Sequence, residues 1–513
     1  MQREDTDVLI VGAGLAGLSA AMFLGQHGIR ALLVERRGST SILPKARGQN
    51  PITMEALRSV GVVDPIHAAI PPGKPAITSV VSESMTGQVF YDHVAHRPDF
   101  SRFSPERPGM ASQAKTEEAF LARARELGAQ VRFDTFMEEF SQNDEAVEVT
   151  LRSMKDDTLY RVRARYLLAC DGIRGQMAKQ LGIGTHGYGF LKSVTAVRFR
   201  AELTAIAGPN AMVVHYIQNP AVPDGAGVLV STDYADEWVA NMSADPERTE
   251  AQTREVIRTM VGVPDLKFDI LGSTTYDYAH RIADTFRSGR VFLTGDAAHV
   301  MPPTGGQGGN TAVQDGYYLG WKLAAVLKGQ AGPRLLESYD VERRPYAEVV
   351  CTWQAANLAE RRRMDGVASV LGRPMDHATM MFGYTCLQGA LVPEAPVPTE
   401  AFENPAEPTG RPGARVPYAE LQGDQGPLQP RKLLGPYFMV FTAAPGGQVM
   451  AEQVGQALGI DLRAFAVQSV KPLGCTQGDT VLVRPDGVVA WRGNGDAAAL
   501  TRALETVLCR ESA

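Results

Sequence analysis

Residues Asp7 to Leu18, DVLIVGAGLAGL, set a short β-branched run directly against G-x-G-x-x-G and a stretch rich in Ala, Leu and Met. That order dictates a strand, a tight turn and a helix. Gly12 suits the turn, Gly14 leaves room for a pyrophosphate against the backbone, and Gly17 lets helix and strand pack closely. A second apolar run, Ala31–Val34, leads into Glu35 and Arg36. An acid about twenty residues beyond the glycines can accept hydrogen bonds from ribose hydroxyls. It favours a plain adenosine ribose, hence FAD or NAD over NADP.

A second signature lies nearly at the middle of the chain. Gly289–Leu293 is a buried-strand pattern that ends in Thr294-Gly295-Asp296-Ala297-Ala298-His299. Pro302-Pro303-Thr304-Gly305-Gly306-Gln307-Gly308-Gly309-Asn310 and a long amphipathic helix follow. Asp296 is placed to meet a ligand hydroxyl, and the glycines let amides at the helix start approach a flat or anionic group. His299 is expected to pack beneath this turn. A third element, Cys170-Asp171-Gly172-Ile173-Arg174-Gly175, closes another strand. Asp171 can organise amides around a pyrophosphate with Arg174 nearby, or the segment is an ordinary strand-end turn.

The 513 residues exceed one hydrophobic core and imply two or three domains. A formal charge of -6 offers no attraction to nucleic acid. No run is apolar enough to span a bilayer, and no signal peptide precedes the first strand, so a cytoplasmic protein without membrane attachment is expected. Cysteines 170, 351, 386, 475 and 509 are scattered without metal-ligand spacing, so free thiols and no metal site are expected. Residues 187–280 alternate as strands, interrupted by a charged helix at Pro246–Met260, which suits an antiparallel wall of an apolar cavity. The stretch Val392–Pro412 is dense in Pro, Glu and Ala and reads as a linker. Strands at Tyr437–Phe441 and Thr480–Val483 and helices near 448–458 and 496–508 follow.

The three motifs, in this order, resemble those of the FAD-dependent aromatic hydroxylases related to p-hydroxybenzoate hydroxylase. The likeness is greatest to the branch acting on polycyclic aromatic polyketides, and it is strong over residues 5–350. The segment Val481–Arg492 resembles the thioredoxin-like domain that some members carry, although no Cys-x-x-Cys is present. The resemblance implies an α/β fold. A Rossmann-like FAD-binding domain (GR2-type) would occupy 1–180 and 286–395. A mixed or antiparallel β-sheet substrate domain would be inserted at 181–285 with part of 70–110, and a linker and thioredoxin-like domain would fill 396–513.

It also implies roles. Glu35 and Arg36 would serve the adenosine end, Arg47 would lie against the flavin or pyrophosphate, and Gln113 would approach the ribityl chain. Asp171 would serve the pyrophosphate region and passing NADPH, and Asp296 would hold a ribityl hydroxyl. Pro303 would sit beside the reactive flavin edge, with the amides of Gly309 and Asn310 facing the pyrimidine carbonyl. The family's Asp-Gly motif continues with Ser and a later Arg, where this chain has Gly175 and Ala178. Tyr216 and His215 are candidates to anchor or deprotonate a phenol, alongside His280, Tyr234, Tyr276 and Tyr278. The implied activity is hydroxylation of an aromatic substrate using NADPH or NADH and O2. Baeyer–Villiger insertion, quinone-forming oxygenation and a non-catalytic flavin-binding role are the alternatives. The implied partner is an apolar aromatic small molecule, with the chain a monomer or homodimer. Small residues at Ala201, Ala205, Ala207, Gly208, Ala211, Gly225, Ala226 and Gly227 predict a roomy wall and a multi-ring phenol or quinone.

Overall fold

The computed structural model describes residues 3–41, 47–69, 77–95, 99–208, 212–234, 236–361 and 375–510. The opening strand, Arg3–Val11, lies inside a sheet whose parallel core runs Val291–Leu293, Leu159–Ala169, Arg3–Val11, Ala31–Val34 and Gln130–Arg132. Val8, Leu9 and Ile10 are fully buried, as expected for parallel strands covered on both faces. The helix Leu15–Gln26 returns across this sheet beside the later helix Gly308–Leu327. Among the described residues no helix is long and apolar enough to cross a membrane.

The second sheet has eight strands. In spatial order they are His299–Val300, Asp269–Ala283, Thr185–Arg200, Glu237–Ser243, Ala226–Ser231, Met212–Gln218, Ile77–Ser82 and Val89–Asp92. It is mixed, because Met212–Gln218 pairs parallel with Ile77–Ser82. One face is covered by the helix Glu250–Val261. That helix starts later than its charge pattern predicts, because Thr249 and Gln252 form a reciprocal cap that fixes the first turn. Phe199, Leu229, Trp238, Ile257 and Met260 fill this side. The other face turns toward the helix Ser338–Arg361, where Leu358 packs on Val194 and Tyr278.

Two expectations are corrected here. Most of the small residues predicted to leave room in the cavity wall lie elsewhere. Ala201 is buried in the core under the Glu250–Val261 helix, and a Cβ at Gly227 would meet Met260. Ala205 and Ala207 sit on the short helix Thr204–Ala207, and Ala211 lies outside the described residues. The Val392–Pro412 stretch is no free linker either. Val392 N–H donates to Ala490 O, Arg492 grips Glu394 and the Thr409 carbonyl, and Gly410 is so close to Leu473 that no Cβ would fit. Its prolines stiffen a packed strap.

The C-terminal unit is a four-stranded sheet ordered Leu462–Ala466, Phe438–Thr442, Thr480–Val483, Val489–Gly493, with helices Gly447–Leu458 and Ala497–Val507. It is joined to the nucleotide-type domain by buried charge. Glu342 receives Lys322 at 2.6 Å and both terminal nitrogens of Arg484 at 2.8 and 2.9 Å, and Arg484 also binds Asp486. Asp486 accepts from the Trp321 indole at 2.7 Å. A second cluster sets Arg415 and Arg431 on Glu55, which also accepts from Ser104.

Removing one member of such a cluster leaves the others buried and unpaired. Arg484→Met is therefore expected to cost about 3–5 kcal/mol in urea denaturation. Burial alone would raise the Glu342 carboxyl, but Arg484 and Lys322 hold it at about 2, below its ordinary 4.5. Its contribution is complete above pH 4.5 and fades as pH falls toward 2. Glu342→Gln should be less stable at neutral pH and show a flatter loss of stability across that acid window.

Candidate functional site at the strand ends

Strand register builds the site. Leu293, Ala169, Val11 and Val34 are aligned as neighbours across four parallel strands. Each is the last residue of its strand, and each is followed by a segment singled out in the sequence. These are Gly295-Asp296, Asp171-Gly172, Gly12-x-Gly14 and Glu35. In open parallel sheets the crevice beyond the carboxyl ends of the strands is where ligands bind.

The first glycine motif behaves as its chemistry requires. Gly12 has φ +111°, and a Cβ there would come within 2.3 Å of the Cys170 carbonyl. A Cβ on Gly17 would lie 1.9 Å from the Gly12 carbonyl, whereas one on Gly14 would meet nothing within 4 Å. Gly14 thus faces open space at the start of a helix with no side-chain cap. Glu35 closes the turn, accepting from Ala13 N–H at 2.9 Å and Arg37 N–H at 3.0 Å.

The helix Gly308–Leu327 also begins without a side-chain cap. It runs beside the first helix in the same direction. The vacant Cβ positions of Gly309, Gly316 and Gly320 fall 2.9 Å from Leu15 Cδ1, 2.6 Å from Ser19 Oγ and 3.0 Å from Phe23 Cβ. Two helix starts, with their unpaired amides and positive ends, are thereby set side by side. Gly295 is wedged between them, its vacant Cβ position 2.8 Å from Ala16 Cβ and 3.2 Å from Ala312 Cβ. Asp296 is exposed at the tip. This is a cradle for an elongated anionic ligand with a flat end, and a bound dinucleotide such as FAD fits its donors.

Asp315 holds the turn from below. It accepts from Gly295 N–H at 2.9 Å, from His299 Nε2 at 2.7 Å and from Arg343 at 3.0 Å, all fully or almost fully buried. Burial would raise its carboxyl, but His299 and Arg343 outweigh that and hold it low. His299 has its place in this buried cluster. Asp315 itself escaped the sequence reading, although an acid within the apolar run Ala312–Leu327 was a signal. Asn310 donates to the Gly48 and Gly306 carbonyls and accepts from Asn50 N–H at 2.8 Å. Its side chain is committed, so its backbone amide is the group left for a ligand.

The proline turn is clamped by the helix Ser338–Arg361. Gln354 Nε2 donates to the Pro302 carbonyl at 3.1 Å, and Thr304 Oγ1 donates to the Gln354 carbonyl. Pro303 is exposed at the apex. The Asp171 carboxylate caps its own turn through Met177 N–H at 3.2 Å, and burial raises it above the usual range. A Cβ at Gly175 would strike that carboxylate at 2.2 Å, so the turn as it stands here has room for glycine alone at this position. Arg36 lies in electrostatic range of Asp171, and Arg174 is exposed. Arg47 and Ser112 converge on Asp233 from the substrate-side sheet, and burial brings the Arg47 guanidinium down to about 10. Gln113 begins the helix Gln113–Glu126 and donates to Glu117 at 2.6 Å. Its contact is thus within its own helix.

Strand pleat separates His215 from Tyr216, so they cannot act together on one ligand. His215 shares the face of Val213 and Ile217 under the Glu250–Val261 helix, contacts Ser82 Oγ at 2.9 Å, and is lowered by burial. Tyr216 lies on the opposite face, edge-on to His93.

The chain matches the FAD binding domain family over residues 5–354 and the aromatic-ring hydroxylase C-terminal family over 409–510. It is 36% identical to aklavinone 12-hydroxylase of Streptomyces purpurascens over 99% of both chains. It is 35% identical to 4-methyl-5-nitrocatechol 5-monooxygenase of a Burkholderia species, over 99% of this chain and 98% of that one. A crystal structure of an aklavinone-11 hydroxylase ternary complex with FAD and aklavinone superposes with a TM-score of 0.92. It covers 99% of this chain and all of the other at 35% identity.

Gly316 gives a direct check of the cradle, because a larger side chain there must push against Ala20 N at 2.7 Å. Gly316→Val is expected to cost about 1–3 kcal/mol in thermal denaturation. It should also lower the amount of dinucleotide retained per protein after gel filtration.

Proposed function

The chain belongs to the family of FAD-binding aromatic-ring hydroxylases and is an FAD-dependent monooxygenase; from that premise we propose that it hydroxylates a multi-ring phenol or quinone, with NAD(P)H as reductant. The observation that carries the cofactor assignment is the single line of four strand ends facing two uncapped helix starts. The amides after Gly14 would hold the pyrophosphate, Glu35 the adenosine ribose and Asp296 a ribityl hydroxyl. Arg36, Asp171 and Arg47 would bound the phosphate and ribityl region, with Gln113 next to it. The amides of Gly309 and Asn310 would face the pyrimidine carbonyl, where the helix start favours negative charge.

When bound, FAD supplies the redox chemistry, accepting hydride from the nicotinamide and activating dioxygen. The protein binds, orients and excludes water. Pro303 would border the reacting edge, held there by Gln354. The substrate would lie between this turn and the sheet face that carries Tyr216, since the helix Ser338–Arg361 touches both. Val194, Ala196, Val228 and Val239 form an apolar strip on that face, bordered by Arg198, Asn241, Ser243 and Thr274. A flat polycycle would gain about 25 cal/mol per Å² of apolar area buried there.

The test compares substrates of two sizes. Purified protein should show flavin absorption, and a hydroxylated tetracyclic quinone should stimulate NADPH oxidation with mass gain of one oxygen. A single-ring catechol that couples better than the tetracycle would refute the multi-ring assignment, and an absence of any flavin would refute the cofactor assignment. Asp296→Ala should weaken FAD retention by about 1.5–3 kcal/mol through loss of a charged acceptor, measured by FAD titration of the apoprotein.

A further inference from the structure

On the sheet face opposite the Glu250–Val261 helix a polar pair, Asn241 and Tyr276, sits beside the aliphatic Val194, Ala196 and Val228. Strand register sets Ala196, Asn241, Val228 and Tyr216 side by side across four strands. Tyr276, opposite Val194 on the next strand, donates its hydroxyl to Asn241 Oδ1 at 2.9 Å. Tyr276 is 39% exposed on this face, and burial of the rest of its ring raises its phenol. The Tyr278 hydroxyl in turn bonds to Tyr276, with ring centroids 5.7 Å apart. Tyr278 itself is anchored by Val194 and Leu358.

A phenol hydroxyl that gives its proton to an amide fixes which end of that amide faces it, because only the carbonyl oxygen can accept. The Asn241 amide is therefore locked with Oδ1 toward Tyr276. Its Nδ2 donors have no protein partner among the described residues, and they lie on the face that looks toward the Ser338–Arg361 helix and the Pro302–Gly305 turn which that helix clamps. A locked NH2 group discriminates, because it rewards an acceptor and offers nothing to a donor.

We propose that Asn241, oriented by Tyr276, is the specificity-determining residue that reads an acceptor oxygen, a quinone carbonyl, on the polycyclic substrate. The inference rests on the substrate class proposed above. Its test separates the two.

FAD-loaded wild type, Asn241→Leu, Asn241→Asp and Tyr276→Phe are titrated with a dihydroxyanthraquinone and with the dihydroxyanthracene of the same ring system, which lacks the carbonyls. Binding is read from the perturbation of the flavin spectrum. Wild type should prefer the quinone, and Asn241→Leu should lose about tenfold in quinone affinity, the size of one hydrogen bond, while holding the anthracene within about twofold. Asn241→Asp, which turns a donor into an anionic acceptor, should lose more. Tyr276→Phe, which frees the amide to rotate, should narrow the preference without abolishing binding. A quinone-to-anthracene ratio unchanged in all three variants overturns the inference and leaves the substrate class standing. Failure of wild type to bind either ring system overturns the substrate class and the inference together. Should Asn241→Leu lose its flavin, the near-isosteric Asn241→Asp and the peripheral Tyr276→Phe still decide the outcome.

Discussion

The seam between the first helix and the Gly308–Leu327 helix governs this structure. Two parallel helices approach so closely only because Gly309, Gly316 and Gly320 offer no side chains against Leu15, Ser19, Ala20 and Phe23. With ordinary side chains they would stand the usual 8–10 Å apart. Close approach brings both positive helix ends to one place, at the mouth of the parallel sheet. It also leaves only enough space for Gly295 between Ala16 and Ala312, so that Asp296 is carried to the tip. The ligand cradle at the strand ends follows from that contact.

Electrostatics completes what packing begins. Asp315 draws three donors onto one carboxylate beneath the Gly295 turn, so the turn is fixed by a buried ion cluster as well as by sterics. The Ser338–Arg361 helix supplies Arg343 to that cluster, Gln354 to the proline turn and Leu358 to the sheet. One rigid element thus references three surfaces that must agree in position for an oxygen transfer to be directed.

Much of the nucleotide domain was legible because its signals are local. Gly17 meets Gly12 within one motif, and Gly12 and Gly295 announce their turns by the residues beside them although the partners they approach, Cys170 and Ala16, lie far along the chain; chain order then recovers the sheet. The same was true of the strands around Phe441 and Leu482. The substrate face was less legible. The alternation of Val213, His215 and Ile217 against Val214 and Tyr216 is visible in the sequence, but which side is covered depends on the helix Glu250–Val261, far along the chain. For that reason His215 looked as available as Tyr216. A lone Asn241 in a strand carries no motif, and its meaning comes from a tyrosine on a different strand. The Pro-rich strap misled because composition reports stiffness and polarity, and says nothing of Arg492 reaching back to hold Glu394.

The buried cluster of Lys322, Glu342, Arg484 and Asp486 also constrains how this architecture can be rearranged. Its members come from two parts of the chain that separate family models recognise. Each part holds one charge of each sign, Lys322 and Glu342 on one side and Arg484 and Asp486 on the other, but the bonds cross between them: Arg484 grips Glu342 and Asp486 accepts from Trp321. A C-terminal unit grafted from a relative would be accepted only if it brought a guanidinium and a carboxylate to the same two positions. The boundary that looks like a seam between modules is therefore bonded charge, here and again where Arg415 and Arg431 meet Glu55, and at those positions the two halves can change only together.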